Sequence, residues 1–198
     1  MDDGGLLQYV VVFLSAVIIN NFVLTRFLGL CIFFGVSGNF EASVGMGVAV
    51  TGVMTVASLL GWLVYFHVLI PLELEFFTTI CFVFIVASTV QMLDVITRRF
   101  VPRLHALWGI YLMLIATNCV VLSVPLINVE NDFNFGMSLV HAVGAGLGFW
   151  LALVLMASIR EKLAHSEVPV AFRGLGIAFI TAGMLSLAFL GFTGMVRV

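Results

Sequence analysis

Charge is scarce in this sequence. Of 198 residues, 8 are lysine or arginine and 10 are aspartate or glutamate, 9% together, while 63% are apolar. Soluble domains run at roughly 25% charged and 45–50% apolar. A surface drawn from this composition cannot face water, which excludes a soluble enzyme. The same numbers exclude a disordered or collagen-like chain. The net charge of −2 leaves no basic field for nucleic acid. Cysteine is scarce too. Three cysteines, an odd number at wide spacing, do not form a secreted disulfide framework. His67, His105, His141 and His165 are scattered without ligand spacing, and there is no HExxH and no Ser-His-Asp set. The start, Met1-Asp2-Asp3-Gly4-Gly5, lacks the positive region of a signal peptide, so the first apolar run is expected to stay in the mature protein.

What the chain does have is long apolar runs, with a mean hydropathy of +1.25. A helix needs about 20 apolar residues to cross a bilayer. The runs predict spans at Leu6–Leu24, Ser43–Phe66, Phe76–Ile96, Leu107–Ile127, Met137–Ser158 and Leu175–Val196. They lack the alternation of barrel strands. The expected fold is an all-α polytopic membrane protein, a single integral membrane domain over residues 1–198. With six spans, Arg26, Arg98, Arg99, Arg103, Arg160, Lys162 and Arg173 fall on one side and Arg197 on the other. Seven against one marks the first side as cytoplasmic. Both termini are then outside, with Asp2, Asp3, Glu73, Glu75, Glu130 and Asp132.

The first segment is too long for a plain span. Leu6 to Val36 covers 31 residues, about 46 Å as a straight helix, against a hydrocarbon core of about 30 Å. Either the helix is broken near Asn20 and Asn21, or Phe27–Val36 re-enters the membrane. Two halves of three spans, approximately 6–96 and 107–196, would be inverted repeats, because an odd number of crossings reverses orientation. The local echo is Gly-Leu-Cys31 against Thr-Asn-Cys119.

Cys31 and Cys119 are therefore the candidates for chemistry. A membrane cysteine is ordinarily a small apolar filler, and Cys81 is read that way. Matching positions in two halves set a ligand reading for Cys31 and Cys119 beside the filler reading. Two thiolates are half of what a [2Fe–2S] cluster takes, so another chain would have to supply the rest. Asn21 and Asn118, polar groups in apolar runs, either hold broken backbone, donate toward a cluster, or bond a neighbouring helix. Gly144 and Gly148 are spaced for close helix packing, and Gly183, Gly191 and Gly194 are expected to act likewise. Asp94 and Arg98 are placed for an i,i+4 ion pair. His141, Met137 and Met156 are read as core.

Several separated motifs resemble one family. Asn20-Asn21-Phe22-Val23-Leu24, Phe27-Leu28-Gly29-Leu30-Cys31, Gly35-Val36-Ser37, Leu107-Trp108-Gly109-Ile110 and Thr117-Asn118-Cys119 resemble the RnfA/RnfE and NqrD/NqrE family. So do Ile159-Arg160-Glu161-Lys162-Leu163 and the stretch from Phe172 to Gly183. The resemblance covers about Leu6 to Gly194. Within the family, the outward N-terminus and the Asn-Asn-Phe-Val-Leu segment are most similar to RnfA members, with NqrE members next. RnfE and NqrD members are expected to have the opposite orientation.

The resemblance implies a subunit of an ion-translocating ferredoxin:NAD+ oxidoreductase in a bacterial cytoplasmic (inner) membrane. It implies one intramembrane [2Fe–2S] cluster shared with an RnfE-like sister subunit. Cys31 and Cys119 would be the ligands here, set among Asn21, Gly29, Leu30, Thr117 and Asn118. Electrons would pass between subunits carrying flavins and iron–sulfur clusters, coupled to Na+ or H+ movement. Other readings are an NqrE-like subunit of a Na+-translocating NADH:quinone reductase, a secondary transporter, or a scaffold without cofactor. A transporter needs polar groups at the midplane, of which this chain has few. No independent activity is expected of the chain alone.

Overall fold

The computed structural model describes residues 3–72, 75–100, 114–166, 169, 172 and 174–192, and among them the regular structure is helical with no strand. The expected Leu107–Trp108–Gly109–Ile110 motif, His105, Gly194 and the basic residues Arg103, Arg173 and Arg197 lie outside the described residues. The elements are α1 (Asp3–Leu14), which widens into a π-helical turn at Ser15–Ile19, α2 (Leu30–Val36) and α3 (Phe40–Val64), which widens likewise at Tyr65–Leu69. Then come α4 (Thr78–Phe100), α5 (Cys119–Glu130), α6 (Phe135–Ala164) and α7 (Leu175–Leu190).

Three described helices are long and apolar enough to cross a membrane: Phe40–Leu69, Thr78–Arg99 and Phe135–Ala164. They correspond to three of the six expected spans. The other apolar helices are shorter, at Leu7–Ile19, Leu114–Glu130 and Leu175–Leu190. Two of these are the segments where the chain breaks.

The core is the antiparallel pair α3 and α6. Gly47 meets Trp150, Gly146 meets Thr51, and Trp62 Nε1 donates to Phe133 O at 3.0 Å. Gly146 lets its backbone approach that of Thr51 and Gly47 leaves room for the Trp150 indole, which is how helices gain packing where lipid removes the hydrophobic drive. α1 lies along the other side of α6. A Cβ on Gly144 would stand 3.1 Å from Ala16 Cβ, and one on Gly148 3.0 Å from Ala16 O and Val17 O. The close-packing expectation holds for those two glycines. It does not hold for the last helix, where Gly183 has nothing within 4 Å and Gly191 meets only its own Ala188 O. α7 presents Phe179, Ile180, Met184 and Leu187 outward and buries Ala178, Ala182 and Ser186, so its alanines and serine, not its glycines, pack within this chain.

Most polar groups inside the bundle are paired; among the described residues Asn118 Nδ2 and Trp150 Nε1 are not. Asn128 Nδ2 donates to Ser58 Oγ at 2.6 Å, and Asn128 Oδ1 stands 2.6 Å from His141 Nδ1. His141 is thus buried, as expected of a core residue, but as a bonded one. Arg160 Nη1 ties the end of α2 to α6 through Phe34 O (3.0 Å) and Ser37 Oγ (2.8 Å). Asp94 and Arg98 form the expected pair at 3.5 Å.

A junction of two broken helices

The first break is built by side chains that replace helix backbone. Asn21 is fully buried. Its Oδ1 accepts from Val23 N (3.1 Å) and Leu24 N (3.3 Å), and its Nδ2 donates to Gly148 O (2.7 Å) and Val17 O (3.3 Å). Irregular backbone at membrane depth survives only when protein satisfies it, and one asparagine here serves four backbone groups. Thr25 Oγ1 adds a bond to Asn21 O, and Ser186 Oγ of α7 reaches Leu24 O. Phe27 (φ 54°) and Gly29 (φ 76°) take left-handed conformations before α2 begins.

The chain reverses within this break. α1 runs alongside α6 from Tyr9 at Gly136 to Val17 at Gly148. Phe22 then stacks edge-on against His141, two turns back toward the start of α6. Arg26 lines the same cleft as Asn131 and Phe133. Arg26 therefore sits at the Glu130–Asp132 end of the bundle and not beside Arg160 and Lys162, where the charge count places it. Among the described residues Arg98, Arg99, Arg160 and Lys162 remain in the segments the charge count assigned to the cytoplasmic side.

The second break is short. Helix at 114–116 gives way at Thr117–Asn118, and Asn118 starts α5 by accepting from Val120 N at 3.0 Å. Asn118 is buried, and its Nδ2 has no partner among the described residues. Thr117 is exposed, its hydroxyl 3.5 Å from Leu114 O.

The two breaks meet. Gly29 N donates to Cys119 Sγ at 3.0 Å, across 90 residues of sequence. A Cβ on Gly29 would stand 2.7 Å from Val120 Cγ2, 3.0 Å from Asn118 Oδ1 and 3.2 Å from Phe149 Cε2. The contact thus lies beside the middle of α6. From it α2 runs to Arg160, while α5 runs the other way to the Asn128–Ser138–His141 network. Two helix N-termini, each with the positive end of its dipole at this point, diverge from one place.

Cys31, in the first turn of α2, and Cys119, the first residue of α5, are both free and both exposed. Leu30 between Gly29 and Cys31 is half-buried, and Asn21 sits at Gly148, one residue from Phe149. The junction therefore gathers Gly29, Asn118 and Cys119 directly, with Leu30 and Cys31 following in the chain. Thr117 flanks it, and Asn21 holds the loop that delivers Gly29. Among the described residues no group of three or more His, Cys, Asp or Glu side chains stands together. The Gly29–Cys119 bond had no signature in the sequence. The Asn128–Ser58–His141 network had one, an asparagine at the end of an apolar run.

Helices of bilayer length, with broken segments capped by buried asparagines, define an integral membrane protein. The chain belongs to the Rnf-Nqr subunit family of membrane proteins, whose family model matches residues 9–196. It is 59% identical over 191 residues to the A-type subunit of the proton-translocating ferredoxin:NAD(+) oxidoreductase complex of Clostridium ljungdahlii, covering 96% of this chain and 99% of that one. It is 49% identical to the A-type subunit of the ion-translocating oxidoreductase complex of Sodalis glossinidius, over 96% and 98% of the two chains. The corresponding protein of Actinobacillus pleuropneumoniae serotype 5b, which bears the same name, is 50% identical over 98% and 100%.

Proposed function

We propose that this chain is the A-type subunit of an ion-translocating ferredoxin:NAD+ oxidoreductase in a bacterial cytoplasmic membrane. In that role Cys31 and Cys119 hold half of an intramembrane [2Fe–2S] cluster, and a sister subunit of opposite orientation holds the other half. The names of the relatives support the complex. The observation that carries the cluster is the Gly29 N–H bond to Cys119 Sγ, which joins two breaks that each present an exposed thiol.

The residues fit the group. Two thiols are half of a four-thiolate set, and both face away from this chain's own core, where a second chain would complete it. Bare thiolates in hydrocarbon are costly. Ligation to iron removes that cost, and one backbone N–H, from Gly29, already points at Cys119 Sγ. The buried Asn118 Nδ2 is a donor without an acceptor among the described residues, and a sulfur ligand set beside Cys119 offers one. When bound, the cluster supplies one-electron transfer at membrane depth. The chain's own part is to fix the two sulfurs and donate a hydrogen bond to Cys119 Sγ. The reading includes six spans in two inverted repeats with both termini outside. The opposite courses of α2 and α5 support it.

The test is to co-express the chain with its opposite-orientation sister subunit and purify the pair anaerobically. Iron and acid-labile sulfide are measured, and the reduced sample is examined by EPR. A reduced [2Fe–2S] signal is expected, with about two irons per pair, and Cys31→Ser or Cys119→Ser should abolish it. Iron-free protein, or a signal indifferent to both substitutions, would return the cysteines to packing and leave a transporter or a cofactor-free scaffold.

A further inference from the structure

A second polar site lies away from the cysteines, at the end of the bundle carrying the Glu130–Asp132 turn. It is a cleft of about 280 Å³ between the π-helical end of α1, the 20–29 segment, the end of α5 and the start of α6. Its polar lining is Ser15, Asn20, Arg26, Asn131 and His141, with Phe22 and Phe133 among its apolar walls.

Among the described residues, Arg26 is the only charged group lining it, and the guanidinium has no carboxylate and no hydrogen-bond acceptor. It stands over the ring of Phe22, 5.6 Å from the centroid. Arg26 is exposed at the mouth of the cleft, and a guanidinium without a carboxylate there is open to an anion. Guanidinium matches a phosphate as a two-pronged donor.

The other groups leave acceptors open beside spare amide and hydroxyl hydrogens. Asn20 Nδ2 donates to Ser15 Oγ (3.1 Å) and Asn131 Nδ2 to Ile127 O (2.8 Å), so each side chain has its carbonyl oxygen to spare. Asn128 gives its amide hydrogens to Ser58 and Ser138, so its Oδ1 takes the His141 Nδ1 proton. The other ring nitrogen is then an acceptor as well. One anion receiver with spare carbonyl acceptors around it suits a phosphate diester that carries its own hydrogen-bond donors, and the remaining amide hydrogens face the same phosphate.

We propose that this cleft binds the headgroup of a phospholipid bearing hydroxyl or ammonium donors, with its phosphate on Arg26. Lipid is the source the surroundings favour. α1 turns Leu7, Val10, Leu14 and Ile18 outward beside the cleft, and the site stands at the turn that ends the membrane-embedded helices. The proposal does not depend on the cluster.

The experiment is native mass spectrometry of the full chain, in the assembly in which it purifies, after exchange into defined lipid. Phosphatidylglycerol is expected to be retained, and phosphatidylcholine, which has no headgroup donor, to be retained less. Glycerol 3-phosphate should fail to displace the bound lipid. Arg26→Gln should weaken phosphatidylglycerol retention by roughly ten- to a hundredfold, the equivalent of a lost hydrogen bond to a charged group. Asn131→Leu, at an exposed turn, should fold as wild type and lose the preference for phosphatidylglycerol over phosphatidylcholine.

Retention in Arg26→Gln equal to wild type would overturn the proposal. So would equal retention of the two lipids by the wild-type protein. Displacement by glycerol 3-phosphate would make a free phosphate ester the ligand instead. A wild-type assembly that holds no lipid would assign Arg26 to a partner's carboxylate. If Arg26→Gln does not assemble, the wild-type comparisons and Asn131→Leu still decide the question.

Discussion

Gly29 carries more constraint than any other residue at the junction. Its φ of 76° is a conformation L side chains rarely adopt, and a Cβ would collide with Val120 and crowd Asn118 and Phe149. Its N–H is also the donor to Cys119. Gly29→Ala must therefore move α2 away from α5 or push Val120 into Phe149. A loss of about 1–3 kcal/mol is expected, the range for overpacking a filled site. Thermal unfolding in detergent would register it, and a midpoint equal to wild type would mean the two breaks are not locked together. In the assembled pair the same variant should lower iron content, because it displaces the start of the helix that carries Cys31. Asn21 shows how far a residue could be read in advance. An asparagine in an apolar run signals that something there needs hydrogen bonds. The sequence could not say that the partners are Gly148 O, Val17 O and the N–H groups of Val23 and Leu24.

At the scale of elements, the two glycine patterns that looked alike separate. Gly148 faces the backbone of α1 across a gap with no room for a methyl group, whereas Gly183 faces open space on α7. Gly148→Ala is expected to push α1 off α6 and lower the thermal midpoint. Gly183→Ala is expected to leave stability unchanged or raise it by about 0.5–1 kcal/mol, the helix preference for alanine over glycine. Equal effects of the two substitutions would deny that α1 and α6 are in backbone contact. The spacing of small residues is a local pattern. Whether a helix faces another helix or lipid is not, and α7 makes few contacts within this chain. α4 packs one face, with Phe82, Val86 and Val90, into the bundle and turns Ile80, Val83, Phe84, Met92 and Val95 outward.

For the molecule as a whole, the direction of insertion follows from where the basic residues lie. Glu130 ends α5 and Lys162 lies in the last turn of α6, at opposite ends of the bundle and both exposed. Positive charge gathers on the cytoplasmic side. In intact cells a membrane-impermeant thiol reagent is expected to label Glu130→Cys, and to label Lys162→Cys only after permeabilisation. The reverse pattern would invert the topology and with it the side of the membrane assigned to each half-helix. Arg26 does not reverse the expectation, since Arg98, Arg99, Arg160 and Lys162 remain on the assigned side against it among the described residues.

Membrane residence, the helical class, the long central helices and the family were all legible in the sequence, because each is a property of local composition or of short motifs. Run length against bilayer thickness also announced that the first segment had to break. The tertiary structure decided what those breaks do. It turned the chain back at Asn20–Gly29, which carried Arg26 away from the other basic residues of its assigned side and into a polar cleft. It also brought Gly29 to Cys119. Sequence separation carries no distance: 90 residues lie between the partners of that bond, and only the packing of α1, α2 and α5 against α6 closes the gap.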